Sequence, residues 1–245
     1  MDSVRIWLRQ FTEDLNARVA RFCARWIRKV INAAISDHEL MGALKDITST
    51  AEFVKQYLGD VPEFKSRDQL YRWALNEVPS DAGLFLEFGV YKGNSINRLA
   101  GIKPNVTFYG FDSFVGLPEG WTIIAKKGAF DTSGALPPVR SNVVLTKGFF
   151  EQTLQPYLQA HPGEAIRFLH VDCDLYSATK TILDAAKSRL AAGTVIIFDE
   201  LINYPGWQEQ EYKAFMEFAS ETGVHFEYIG YVRNGGQVAV QLLQS

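Results

Sequence analysis

The segment HVDCDLYSATK (residues 170–180) sets two carboxylates, Asp172 and Asp174, on either side of Cys173, at the end of an apolar run that belongs in a core. A bare charge aimed out of a buried strand is costly to desolvate, so acids kept there suggest a site rather than a loop that happens to be acidic. The same ending recurs along the chain. GLFLEFG (83–89) closes on Glu87, VTFYGFD (106–112) on Asp112, and TVIIFDE (194–200) on Asp199 and Glu200. Only NVVLT (142–146) runs instead into Lys147, Gly148 and Phe149. One acid at a strand end is commonplace, whereas this repetition is not.

The first of these endings reads Glu87-Phe88-Gly89-Val90-Tyr91-Lys92-Gly93-Asn94-Ser95. It has the form E-x-G-x-x-x-G, lacks the three-glycine spacing of dinucleotide binders, and no GKS or GKT phosphate loop occurs in the chain. Glycine lets a ligand approach the backbone, and a helix that follows presents free N–H groups. Asp112, followed by Ser113, could accept both hydroxyls of a ribose, as acids do at this place in nucleotide-binding α/β folds. A glycine loop on one strand and an acid on the next imply an adenosine ligand without pyrophosphate machinery, a description that S-adenosylmethionine fits.

The elements that must position these residues are legible from periodicity. After Asp81, short apolar runs alternate with helical stretches at 96–99, 150–159 and 179–190, which predicts a mostly parallel sheet covered on both faces. VHFEYIGYV (224–232), the turn RNGG and QVAVQLL (237–243) read as a closing hairpin. Ahead of this body, apolar residues from Val4 to Ile31 recur at gaps of three and four, the signature of a long amphipathic helix. Seven Arg or Lys against three acids in residues 1–31 leave that helix at +4, and the remainder at −7 for a net charge of −3. More helix is expected over 40–58 and 68–77. The division read from these patterns is a helical extension over 1–80, serving oligomerisation or as a lid, and a catalytic domain over 81–245.

With 47% apolar and 22% charged residues the composition is that of a soluble globular protein. The net charge gives no general attraction for nucleic acid, and no apolar stretch approaches the roughly 20 residues that span a bilayer. Two distant cysteines suit a reducing cytoplasm.

The phrases EFGVYKGNSI, YGFDSFVGLPEGW, HVDCDLYSATKTIL and IIFDELINYPGWQEQEYKAF resemble the macrocin O-methyltransferase family of class I S-adenosylmethionine-dependent enzymes, over roughly residues 52–243. The resemblance implies a Rossmann-like seven-stranded mixed α/β sheet in the order 3-2-1-4-5-7-6. It implies that Glu87, Gly89 and Gly93, with the rest of their loop, line the methionine end of the cofactor, that Asp112 holds the ribose, and that Gly148 and Phe149 border the adenine. It further implies a magnesium ion between Asp172 and the pair Asp199-Glu200, with Asp172 also facing the cofactor and accepting the proton of an acceptor hydroxyl. Where the family's metal-binding members carry Asp-Asp, this chain carries Asp199-Glu200, and the extra methylene leaves open whether metal is required.

Around this centre the reading gives Asp174 to the start of the following helix, as a cap or first-turn charge. Cys173 reads as a small filler and His170 as a buried, satisfied core histidine. The loop 116–139 is long enough to be a lid. Trp121, Tyr176, Tyr204 and Trp207 are candidates for the substrate side, where aromatic rings could stack on a sugar. The activity expected is methylation of a hydroxyl on a sugar or other polar small molecule in natural-product biosynthesis, by a cytoplasmic protein that dimerises through its front helix. Its rivals are a metal-independent N- or carboxyl-methyltransferase, a nicotinamide oxidoreductase, which the missing GxGxxG disfavours, and a membrane- or partner-binding module run by the basic helix.

Overall fold

The computed structural model describes residues 38–122 and 124–244. The amphipathic helix expected over 4–35 lies outside them. The chain divides into two compact units, residues 1–45 and 46–245. Helices are α1 (His38–Tyr57), α2 (Arg67–Glu77), α3 (Asn94–Ile102), α4 (Phe150–Ala160), α5 (Tyr176–Ala186) and α6 (Glu211–Thr222). Strands are β1 (Glu63–Phe64), β2 (Leu84–Phe88), β3 (Phe108–Asp112), β4 (Val143–Lys147), β5 (Ile166–Val171), β6 (Leu190–Phe198), β7 (Phe226–Val232) and β8 (Val238–Leu242).

The eight strands form one sheet in the order β1-β7-β8-β6-β5-β2-β3-β4. Numbered from β2, the seven main strands follow the expected order, with parallel pairing from β6 to β4 and antiparallel pairing of β8 with both β6 and β7. The eighth strand is an addition: β1 pairs parallel to β7, aligning Glu63 with Tyr231 and Phe64 with Val232. Residues 46–80, which the sequence reading gave to the front extension, thus share a compact unit with the sheet. Helix α6 is a second addition, and a short 3-10 turn at Trp207–Glu209 precedes it.

Side chains alternate across β2 as the two-residue period requires. Leu84, Leu86 and Phe88 join one core cluster with Phe111, Leu169 and Phe198. Phe85 joins the other, with Phe108, Phe168 and Ile197 and with Leu70 and Tyr71 of α2. Glu87 falls on the Phe85 side and is fully buried there, so a carboxylate is committed to the interior and must find partners.

Register decides what stands at the strand ends. Phe88 aligns with Val171, and Val171 with Phe198. The ladder continues one step further, with the Asp172 N–H donating to the Phe88 carbonyl at 2.9 Å and the Asp199 N–H to the Val171 carbonyl at 2.8 Å. Gly89, Asp172 and Asp199 therefore stand in a row across three neighbouring strands.

Candidate active site

A cleft of about 550 Å³ opens at this row, within the usual size of a small-molecule site. On one side is the glycine loop. Gly89 has φ +91°, and a Cβ placed there would come within 1.7 Å of the Asp172 carbonyl oxygen, so only glycine allows the loop and the acid to lie this close. Val90, Tyr91, Asn94 and Ser95 line the cleft beside it, the last two from the first turn of α3. Gly93 is the N-cap of that helix, at φ +77° with no side-chain cap, and lies behind the lining.

Asp112 and Ser113 also line the cleft. The Asp112 carboxylate accepts three backbone N–H groups, from Val90 at 2.8 Å and Tyr91 at 2.7 Å on Oδ2 and from Phe114 at 2.7 Å on Oδ1. Its evident work is to fix the glycine loop against β3, a task the sequence reading did not foresee for a ribose acceptor. Phe149 faces the cleft, whereas Gly148 does not. Phe88 is buried in the core below.

Beneath the loop runs a buried polar chain. The Ser95 hydroxyl donates to Glu87 Oε1 at 2.8 Å, and His170 Nδ1 meets Glu87 Oε2 at 3.1 Å. These two residues face one another across the β2–β5 ladder. His170 Nε2 lies 3.3 Å from the Tyr71 hydroxyl and 3.7 Å from Asp199 Oδ1. Burial alone would lower the His170 pKa, but the Asp199 and Glu87 carboxylates facing its two ring nitrogens outweigh burial and carry it up to about 10. His170 is thus an imidazolium whose charge offsets Glu87, in keeping with the satisfied core histidine read from the sequence. Glu87 supports the cofactor loop from below rather than lining the cleft.

The opposite wall is acidic. Asp172, Asp174, Asp199 and Glu200 all line the cleft. Burial raises the Asp199 carboxyl, but the neighbouring His170 charge and Arg67 at 2.9 Å hold it below its ordinary value. The others go the opposite way. Burial and then the Asp199 charge push Asp172 and Glu200 well above the usual carboxylate range and Asp174 up to about 7. Glu211, at the start of α6, is fully buried and goes up to about 8 through burial and the charges of Asp174 and Asp199.

Asp174 departs from expectation. The N-cap of α5 is Leu175, without a side-chain cap. Asp174 itself takes the left-handed conformation, φ 65°, is 7% exposed, and groups with Asp172 and Glu200. It belongs to the acid cluster and not to the helix. Cys173 is a buried filler whose Sγ lies 3.3 Å from the Thr179 hydroxyl.

Among the described residues, two sets of ligand atoms lie within 4.8 Å of one another: His170, Asp172 and Asp199, and Asp172, Asp174 and Glu200. His170, protonated and bonded to Glu87, has no lone pair to offer. The carboxylates do, since Asp199 Oδ1 and Glu200 Oε2 are buried with no hydrogen-bond partner among the described residues. An oxygen-only donor set with orphaned atoms and excess negative charge fits a hard cation such as magnesium.

The aromatic candidates separate. Trp121 lines the cleft, and Tyr204 a second cavity beside it. Tyr176 lines neither, its hydroxyl donating to Glu217 at 2.6 Å. Trp207 is 2% exposed in the core, packed on Phe53 and Tyr212 with its indole N–H donating to Ser49 at 3.2 Å. Burial removes it from any acceptor-stacking role. Arg67, Asp174 and Glu211 are the site residues that sequence reasoning missed. Arg67 stands at the start of a helix far from the motifs, and only the folded sheet brings it to Asp199.

Residues 86–201 match a family described as a methyltransferase domain. The matched segment spans the row Gly89, Asp172 and Asp199 together with Glu200. No curated protein matches the chain. Solved structures similar to it include CalS11, a calicheamicin methyltransferase, at 21% identity, over 84% of this chain and 93% of that one, with a TM-score of 0.56. The O-methyltransferase NovP is similar at 20% identity over 73% and 80%, also at 0.56. An O-methyltransferase from Bacillus cereus, solved in complex with SAH, is similar at 18% over 83% and 91%, at 0.51. The methyltransferase fold and the enzyme class read from the sequence are borne out.

A pH dependence follows from the buried acids. Asp174 and Glu211 hold their protons more tightly folded than unfolded, so their ionisation penalty is absent below pH 4 and grows to its full size near pH 7 and 8. His170 acts in the same sense, stabilising fully below pH 6.5 and losing that contribution as pH rises through about 10. Thermal melting in EDTA should therefore show stability falling from pH 5 to 9. Glu211→Gln should flatten the slope between pH 5 and 8, and an unchanged slope would count against the buried Glu211 carboxyl.

Proposed function

We propose that the chain is an S-adenosylmethionine-dependent O-methyltransferase that methylates a hydroxyl of a sugar or other polar small molecule. The carrying observation is the row of Gly89, Asp172 and Asp199, which places a cofactor loop and a cluster of acids on facing walls of one cleft. The matched domain supports the methyl donor, and the names of CalS11, a TDP-rhamnose 3'-O-methyltransferase, and NovP support an oxygen acceptor.

In this reading the fixed loop 89–95 and the N–H groups of α3 receive the methionine end, with Asp112 and Ser113 on the ribose side and Phe149 against the adenine. Methyl transfer asks mainly for alignment of the acceptor oxygen with the methyl carbon. Asp172, beside the loop and with its pKa raised by burial, offers the carboxylate oxygen that would take the hydroxyl proton. Asp172, Asp174 and Glu200, whose oxygens lie within 4.8 Å of one another, would hold a magnesium ion, with Asp199 beside Asp172. The metal would lower the pKa of the acceptor hydroxyl and offset the clustered charge. One observation favours a metal-free variant: His170 and Arg67 already stand as counter-charges to Asp199. Action in the cytoplasm, a place in natural-product biosynthesis, and self-association through residues 4–35 complete the proposal on sequence grounds.

Calorimetric titration with S-adenosylhomocysteine, in EDTA and again in magnesium, tests it. Saturable binding in both buffers is expected. Binding in neither would remove the methyl-donor site and the proposal with it, while binding only in magnesium would place the metal against the cofactor.

A further inference from the structure

The second cavity, about 540 Å³, shares Arg67, Trp121 and Glu200 with the first, whereas the glycine loop lines the first alone. Glu200 alone of the acid cluster therefore faces both the first cleft and this second chamber. One wall of it is the β7–β8 turn. That turn is held to the end of β6 by the Leu201 N–H donating to the Gly236 carbonyl at 3.0 Å, and a Cβ on Gly236 would come within 2.9 Å of the Asp199 carbonyl. The facing wall is the run Lys65-Ser66-Arg67 entering α2, joined to the turn where the Arg233 N–H donates to the Phe64 carbonyl at 3.0 Å.

Its charge is opposite to that of the acid wall. Lys65, Arg67 and Arg233 all line it, against one carboxylic acid, Glu200. Arg67 gives one nitrogen to Asp199, and Arg233 gives its Nε to Glu63. Each guanidinium keeps further N–H donors, and Lys65 makes no ion pair among the described residues. The indole N–H of Trp121, a residue only 6% exposed, and the hydroxyl of Tyr204 are buried in the same lining, their rings 5.3 Å apart, with no other polar partner among the described residues. Three cations and these buried groups in one lining suit an anionic ligand.

We propose that this chamber seats a phosphate-bearing part of the acceptor, so that the substrate is a phosphorylated or nucleoside-diphosphate-linked hydroxyl compound. The inference rests on the methyltransferase reading and gives its substrate a class. Several donors of fork geometry suit the many oxygens and the double charge of a phosphate better than a single carboxylate. The neutral part of such a substrate would cross the shared wall at Trp121, bringing its hydroxyl to Asp172 while the anionic end stays with Lys65 and Arg233.

The test is calorimetric titration of inorganic pyrophosphate into the full chain, saturated with S-adenosylhomocysteine, in EDTA. Wild type should bind pyrophosphate saturably, and Lys65→Gln/Arg233→Gln should weaken it tenfold or more with S-adenosylhomocysteine affinity unchanged. If losing the Arg233–Glu63 pair lowers the melting midpoint of the double variant, Lys65→Gln alone serves, with a loss of at least threefold expected. Equal pyrophosphate affinity in wild type and variant overturns the proposal, as does no saturable binding to a wild type that still binds S-adenosylhomocysteine. Malonate binding as tightly as pyrophosphate overturns the phosphate assignment. A wild type that binds pyrophosphate at Lys65 and Arg233 but not S-adenosylhomocysteine would instead overturn the methyltransferase reading of the first cleft.

Discussion

Asp172→Asn is expected to lower turnover by about 10²–10⁴-fold, the usual worth of a positioned base, while leaving S-adenosylhomocysteine affinity within about twofold. Asparagine keeps the shape, and the backbone N–H of residue 172 still donates to the Phe88 carbonyl, so the row across β2, β5 and β6 is preserved. What disappears is a carboxylate whose pKa burial and Asp199 have raised. Removing that charge also relieves the cluster, so the variant should melt no lower than wild type above pH 7. Single-turnover rates against pH would check both points. Turnover within threefold of wild type would show that the hydroxyl proton goes elsewhere.

Gly89→Ala is the second large effect, and it acts through the backbone. Its methyl group would sit 1.7 Å from the Asp172 carbonyl oxygen, far inside van der Waals contact, at φ +91° where an L side chain is already strained. Neither atom can step aside, because the Gly89 N–H donates to Phe111 and the Asp172 N–H to Phe88. Overpacking of this kind costs about 1–3 kcal/mol or more, and here it would part β2 from β5 at the cleft. The expectation is a lower melting midpoint with loss of S-adenosylhomocysteine binding beyond tenfold, and binding retained at wild-type affinity would contradict the close approach of loop and acid.

The strands of the body were legible because buried parallel strands must be continuously apolar, and their acid endings stood out against that background. The order of the strands came through resemblance, since no periodicity states which strands are neighbours. Other features were lost for physical reasons. Asp174 sits where a helix-capping acid belongs, and only its left-handed backbone turns it into the cleft. Trp207 lies close in sequence to Asp199, yet an aromatic suits a core and a binding wall equally well, and contact with Phe53 settled it for the core. Arg67 comes from a segment with no motif of its own, and its meaning depends on a sheet assembled from later residues. Strand β1 spans two residues, too few for any alternation to register.

That short strand bears on how the molecule keeps to itself. The β7 edge would otherwise present unpaired backbone groups beside an apolar, β-prone sequence, the kind of edge that recruits other chains. Glu63 and Phe64 occupy it, and the Glu63 carboxylate, bonded to the Tyr231 hydroxyl and Arg233, leaves charge at the rim. A chain shortened to begin at the first long strand would keep every acid of the cleft and every glycine of its loop, and would still be prone to aggregate through the far side of the sheet.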